Sequence, residues 1–161
     1  MKKTNVMRIL DRQKIAYEPG FYDVSDGVLD AVHVAEKIGL PPQKVFKTLV
    51  VEGEHEAIVC IIPGPAHLDL KKAAKAAGLK KVEMLPQKKL KPLTGYVHGG
   101  CSPIGLKKPL RTFLDVRARR EGIIAISAGQ IGVQVKLSAE ALAEFIQAPF
   151  VDVVKEEECE S

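Results

Sequence analysis

The chain lacks a segment that could cross a membrane. Its longest apolar run, Ala57 to Pro63, falls far short of the ~18 residues a spanning helix needs. Arg8 and Asp11 break up the N-terminal region, so no secretory leader is expected and the protein is assigned to the cytoplasm. Cysteine is scarce. Cys60, Cys101 and Cys159 are odd in number and show no close pairing pattern, which suits reduced thiols in a reducing compartment. The four histidines, His33, His55, His67 and His98, form neither His-x-x-x-His nor His-Glu-x-x-His. Zinc needs three or four ligands, so no metal site is expected. Gly100 to Lys107 comes close to a phosphate loop, but Leu106 stands where that loop needs Gly-Lys-Ser/Thr, and no Gly-x-Gly-x-x-Gly occurs. No nucleotide cofactor is expected, nor any other. A Gly-x-Ser-x-Gly nucleophile elbow is also missing. The carboxylates fall mostly in capping or tail positions rather than in pairs.

What is present is an ordinary globular composition. The chain has 161 residues, of which 46% are hydrophobic and 27% charged. That length is enough for one domain with its own core. Residues 1–154 are read as that domain and 155–161 as an acidic tail. Charge is unevenly spread. There are 24 Lys and Arg against 20 Asp and Glu, but the tail holds four acids and one base, which leaves the body at 23 against 16, a net +7. Residues 71–91 carry eight lysines against Glu83, and residues 107–120 carry six bases against Asp115. Such clusters attract polyanions more than the net charge implies. The plainer alternative is a solvated helix face.

Helical and strand patterns alternate without a linker or repeat. Thr4 can cap a first helix, with Val6, Ile9 and Leu10 on one face. Ala16–Tyr22 reads as a strand. Ser25 or Asp26 can cap a second helix through Leu29, Val32, Ala35 and Ile38, ended by Gly39. Phe46–Val51 and Ala57–Ile62 read as a hairpin. Asp69 caps a lysine-rich helix from Leu70 to Ala77. Pro86–Lys91 reads as one helical turn. Residues 99–105 form a loop dense in turn formers. Thr112–Val116, Ile123–Ser127 and Val133–Leu137 read as strands, and Ser138 caps a last helix to about Gln147. The expected class is α+β, a mixed fold with six or seven short strands around one barrel-like sheet.

Two short segments invite a chemical reading. In Val-Phe-Lys-Thr-Leu-Val-Val, alternation puts Lys47 on one face with Leu49 and Val51. Such a lysine is either an edge residue that discourages strand pairing or a pocket residue. Ser127-Ala128-Gly129 follows a wholly apolar strand and could offer a hydroxyl and a closely approached backbone N–H. The alternative there is an ordinary turn. Cys101, three residues from His98 across two glycines, is read as a small loop residue rather than a nucleophile.

Three segments together resemble the YbaK family of bacterial aminoacyl-tRNA deacylases: Val45–Leu49, Gly95–Gly105, and Ile126–Gly129 with Gly132. The connecting runs Leu68–Ala76 and Lys80–Met84 are similar too, so the resemblance covers nearly the whole chain. It implies a mixed α/β fold around a small barrel with a pocket at its mouth. It assigns catalytic positions to Lys47 and Ser127. It assigns substrate contacts to Tyr22, Thr48, Gly99, Gly100, Ser102, Pro103, Gly129 and Gln134. Two positions depart from the family pattern. Leu29 and Asp30 stand where members carry an aromatic residue, and Gln134 stands where members carry an acid.

The activity so implied is trans-editing: removal of a small mischarged amino acid, cysteine foremost, from tRNA(Pro) or tRNA(Cys). Alternatives are another small misacylated amino acid, such as alanine on tRNA(Pro), or a non-catalytic tRNA- or synthetase-binding module. An aminoacyl ester is already activated, so its cleavage needs orientation and charge stabilisation more than a protein nucleophile. The attacker would be water or the substrate's own thiol, a hydrolase- or lyase-type cleavage. Lys71, Lys72, Lys75, Lys107 and Lys108 are expected to bind the tRNA. The expected partners are aminoacyl-tRNA and prolyl-tRNA synthetase, with neither membrane nor DNA.

Overall fold

A computed structural model describes residues 3–27 and 30–156. Thr4 caps α1 (Asn5–Arg12), its side chain accepting the Met7 N–H at 3.2 Å. β1 follows (Tyr17–Phe21), then α2 (Ala31–Ile38). α2 starts later than expected. Ser25 donates its N–H and hydroxyl to Asp23 in a local turn, while Asp30 accepts the His33 N–H and so becomes the cap. The inward face also shifts. Val34 and Ala35 are buried, whereas Val32 is 40% exposed. Leu29 and the tail from Glu157, with Cys159, lie outside the described residues.

A short 3-10 turn (Pro42–Lys44) leads into the hairpin of β2 (Phe46–Glu52) and β3 (Ala57–Pro63). Asp69 and Gly78 bound α3 (Leu70–Ala77) as expected, with Asp69 accepting the N–H groups of Lys71 and Lys72. β4 is Glu83–Met84. α4 runs Gln87–Thr94, longer than one turn, with Pro92 inside it. Pro92 has no N–H to donate. Near it the Thr94 hydroxyl donates to Leu90 O at 2.7 Å, closing the last turn. Then come β5 (Arg111–Asp115), α5 (Arg117–Glu121), β6 (Ile123–Gln130), β7 (Val133–Ser138), α6 (Ala139–Ile146) and β8 (Phe150–Val151). β4, α5 and β8 are too short to show a period in sequence, so they escaped the sequence reading.

The α+β class holds, but the sheet is divided. One antiparallel sheet runs β1-β7-β6. A mixed five-stranded sheet runs β4-β2-β3-β5-β8, with β3–β5 and β5–β8 parallel. An isolated bridge, Val45 with Ala125, joins the two. The main core fills the space between the sheets. Phe46 and Val50 of β2, Ile124 and Ile126 of β6, Leu10 of α1 and Leu142 of α6 all belong to it. Val51, Ile58 and Ile62 face the other way and pack under α3. Residues 45–49, at the start of β2, and Ser127 and Gln134 of the three-stranded sheet line one cleft, described next.

Candidate functional site

β2 is covered by β4 only at Val51 and Glu52. Upstream of that its outer edge is open. Leu85 N–H donates to Val50 O, so the main-chain groups of Val50 point away from β3. Main-chain direction alternates along a strand, so those of Thr48 point the same way, into the opening. The opening is a cleft of about 270 Å³ lined by Tyr22, Asp30, Val34, Val45 to Leu49, Gly64, Leu90, His98, Gly99, Cys101, Ser127 and Gln134. Residues far apart in sequence thus converge on one stretch of β2.

Lys47 enters this cleft half-buried, and no carboxylate pairs with it among the described residues. Burial pushes its ammonium below the ordinary lysine value, because desolvation penalises the charged form. Two further polar groups lack partners. Thr48 Oγ1 and Gln134 Oε1 are buried without a hydrogen bond among the described residues. A buried polar atom left so costs about 1–3 kcal/mol. A ligand bringing hydrogen-bond donors would recover that cost. The cleft is therefore suited to a cationic or donor-bearing group beside an electron-rich one.

The cleft collects Lys47, Thr48, Tyr22, Gly99, Ser127 and Gln134, all positions that the family resemblance assigned to the site. Gly100, Ser102, Pro103 and Gly129 are not among its lining residues. Gly100 donates its N–H to Val97 O at 3.0 Å. A Cβ there would come within 3.1 Å of Ile131 N, so any larger residue would push the loop against the 130–131 turn. Ser102 is fully buried, and its hydroxyl accepts the Ile104 N–H at 3.2 Å. Pro103 is buried in the same turn. Gly129 sits in a bulge between Ser127 and Gln130 with φ of 93°. Its N–H donates to Ser127 Oγ at 3.1 Å and so fixes the serine rather than a ligand. The backbone N–H groups of Gly100 and Gly129 are thus already engaged. The Gly99 N–H, by contrast, has no backbone acceptor among the described residues.

Several cleft residues escaped sequence reasoning. Asp30 both caps α2 and lines the cleft, where it pairs with His33 Nδ1 at 2.6 Å. Leu90 reaches the cleft from α4, and His98 from the glycine loop. Tyr96 acts from behind. Its phenol donates to Ile104 O, and its ring would meet a Cβ on Gly129 at 3.0 Å, so it clamps the loop against the bulge. The glycine at 129 was visible in sequence, but the ring that requires it was not.

Cys101 lines the cleft, yet burial pushes its thiol up to about 11. It therefore stays protonated at neutral pH. Cys60, in the core under α3, is pushed up to about 12. Among the described residues no three metal-ligating side chains come together, and no helix is long and apolar enough to cross a membrane. Of the lysines expected to contact tRNA, Lys72 is engaged with Asp152 at 2.9 Å and Val154 O at 2.8 Å. Lys71, Lys75, Lys107 and Lys108 are exposed.

Comparisons with known proteins place the chain among its relatives. A protein of Enterococcus faecalis, provisionally named Cys-tRNA(Pro)/Cys-tRNA(Cys) deacylase EbsC, is 43% identical over 157 residues, 97% of this chain and 96% of that one. A proline–tRNA ligase of Cupriavidus necator is 32% identical over 87 residues, 52% of this chain but 15% of the ligase. A crystal structure provisionally described as a trans-editing enzyme for prolyl tRNA synthetase shares the fold. Its TM-score is 0.83 at 21% identity, covering 97% of this chain and all of that one. The family model for the aminoacyl-tRNA editing domain matches residues 26–145, which takes in β2, the glycine loop and the β6–β7 bulge. The chain belongs to the aminoacyl-tRNA editing domain family.

Proposed function

We propose that the protein is a trans-editing deacylase that cleaves the ester of a small mischarged amino acid, cysteine foremost, from tRNA(Pro) or tRNA(Cys). The observation that carries this reading is an unpaired, half-buried lysine in a small cleft beside two unpartnered buried oxygens. The extensive match to the Enterococcus faecalis protein supports the choice of substrate.

The α-ammonium of the aminoacyl group can donate to Thr48 Oγ1 and Gln134 Oε1, which have no partner among the described residues. Lys47 can then stabilise the negative charge that develops on the ester oxygen, or hold the terminal phosphate. An ammonium that is only partly hydrated does either better than one in bulk water. Ser127, held by Gly129, can donate its hydroxyl proton into the cleft. The Gly99 N–H can act as a further donor to the ester carbonyl. With a cysteinyl ester, the substrate sulfur attacks the carbonyl carbon, the bond to the ribose oxygen breaks, and that oxygen takes the thiol proton. The amino acid leaves as a thiolactone. With a non-thiol amino acid, water must attack instead, and His98 is the exposed base at hand.

Residues 1–154 act as one editing unit in this reading. Val6, Met7 and Leu10 precede the matched family segment but belong to the main core. Val154 bridges to Leu68 at the other end. The work is placed in the cytoplasm, alongside prolyl-tRNA synthetase. A panel of misacylated tRNAs tests the proposal. Fastest release from Cys-tRNA is expected, with thiolactone detected before free cysteine. Release of alanine from tRNA(Pro) in preference to cysteine would move the activity to the alternative substrate. No release from any charged tRNA, with binding retained, would make the protein a binding module.

A further inference from the structure

α4 joins the cleft to a second surface. Its Leu90 lines the cleft, while Lys88, Lys89 and Lys91 of the same helix are exposed. The loop after residue 105 extends this face. Lys107 N–H donates to Thr94 O at 3.0 Å, and Lys107 Cβ lies 3.7 Å from where a Cβ on Gly95 would stand. Lys88, Lys89 and Lys108 rim a shallow groove floored by Pro92 and Leu93. Between residues 85 and 114 the sequence contains no Asp or Glu. Among the described residues Lys88, Lys91, Lys107 and Lys108 have no carboxylate partner, and Lys89 reaches Glu52 only at 3.4 Å across an exposed surface. A folded surface usually intersperses its charges. Five lysines of one sign, beside the cleft and nearly unpaired, instead favour a polyanion.

We infer that this α4 platform binds the phosphates of the tRNA acceptor stem while the charged 3′ end occupies the cleft. The inference rests on the deacylase reading and adds the direction from which the substrate approaches. It also moves tRNA contact away from α3. No α3 residue lines the cleft, and Lys72 is tied to Asp152 and Val154. Lysine suits the task, since phosphate contacts position a nucleic acid without reading its sequence.

The test compares two triple variants of the full chain. One is Lys88→Gln, Lys89→Gln and Lys91→Gln, and the other is Lys71→Gln, Lys72→Gln and Lys75→Gln. Glutamine keeps helix propensity close to that of lysine. The probe is uncharged tRNA, titrated at several salt concentrations. The α4 variant should bind at least tenfold more weakly, with a slope of log K against log salt reduced by about two to three. The α3 variant should lose about twofold or less. With Cys-tRNA, the α4 variant should raise KM and spare kcat. With a charged oligonucleotide of only the single-stranded 3′ end, it should match the wild type. Equal losses from both variants, or none from the α4 variant, would overturn the inference. So would an α4 variant that binds tRNA normally but no longer associates with prolyl-tRNA synthetase, since the platform would then dock protein. If the wild type cleaves no charged tRNA, the deacylase reading falls, and the binding titration alone still decides the platform.

Discussion

Two polar clusters in this protein contrast with each other. At the C-terminal ends of β5 and β8, Asp115 is fully buried and accepts the N–H groups of Arg117 and Val153, each at 3.1 Å. Arg117 reaches Asp115 and also Asp152, and Asp152 holds Lys72. Lys72 and Arg117 hold the Asp152 carboxyl below the usual carboxylate range, and Asp152 in turn raises Lys72. Every charge in that cluster has a partner. In the cleft, Lys47, Thr48 Oγ1 and Gln134 Oε1 have none among the described residues. The closed network ties β5, α5, α3 and the chain after β8 together. The open set costs stability, as a site prepared for a ligand does.

Substitutions on each side test this contrast. Lys47→Ala has the largest expected effect, a loss of about 10²–10³ in kcat/KM on the charged tRNA, as for removal of one electrostatic stabiliser. Its fold should remain intact by circular dichroism. Near-wild-type turnover by the folded variant would make Lys47 an edge residue and the contrast false. Asp115→Ala should do the reverse. It strands the Val153 N–H and removes one partner of Arg117, so a stability loss of about 3 kcal/mol is expected in denaturant titration. Turnover per folded molecule should be unchanged. A variant as stable as the wild type would mean that the closed network is ornamental.

Cys101 sharpens the comparison, since it lines the cleft without belonging to the open set. Its raised pKa leaves almost no thiolate at neutral pH. Cys101→Ser should keep deacylation within about an order of magnitude, ~1.4 kcal/mol of barrier. A thousandfold loss, or an aminoacyl group trapped on Cys101, would replace the mechanism proposed above. The smallest effect concerns stability against pH. Burial lowers the folded-state pKa of Lys47, so the unfolded chain binds the extra proton between that value and 10.5. Its penalty is fully present below the folded pKa and fades as pH rises from that value to the unfolded 10.5. Lys47→Met should therefore melt higher than the wild type at pH 7, and the gap should close by about pH 10.5. A variant that melts lower at pH 7 would show that the ammonium is already satisfied in the native protein.

Much of the fold could be read from sequence, because its signals are local. Thr4, Asp69 and Ser138 cap the helices they were expected to cap, and the β2–β3 hairpin pairs where its apolar runs predicted. The α2 start was misread because Ser25 had a nearer partner in Asp23. β4 and β8, with two residues each, have no period to read.

For the site, sequence determined which residue types were available: a lysine on an apolar strand, a serine before a glycine, a loop of glycines. Resemblance to a family supplied their grouping. Tertiary structure decided which of them reach the cleft. Lys47, Ser127 and Gln134 line it together although they stand on different sheets. Gly100 and Gly129 serve close backbone packing instead. It also separated lysines that look alike in sequence. Lys72 lies near Asp152 only because the end of the chain returns past α3, while Lys88 and Lys91 pair with no acid among the described residues. A side chain's charge is local information. Whether another charge cancels it depends on contacts between residues distant in sequence, and only the folded chain brings those together.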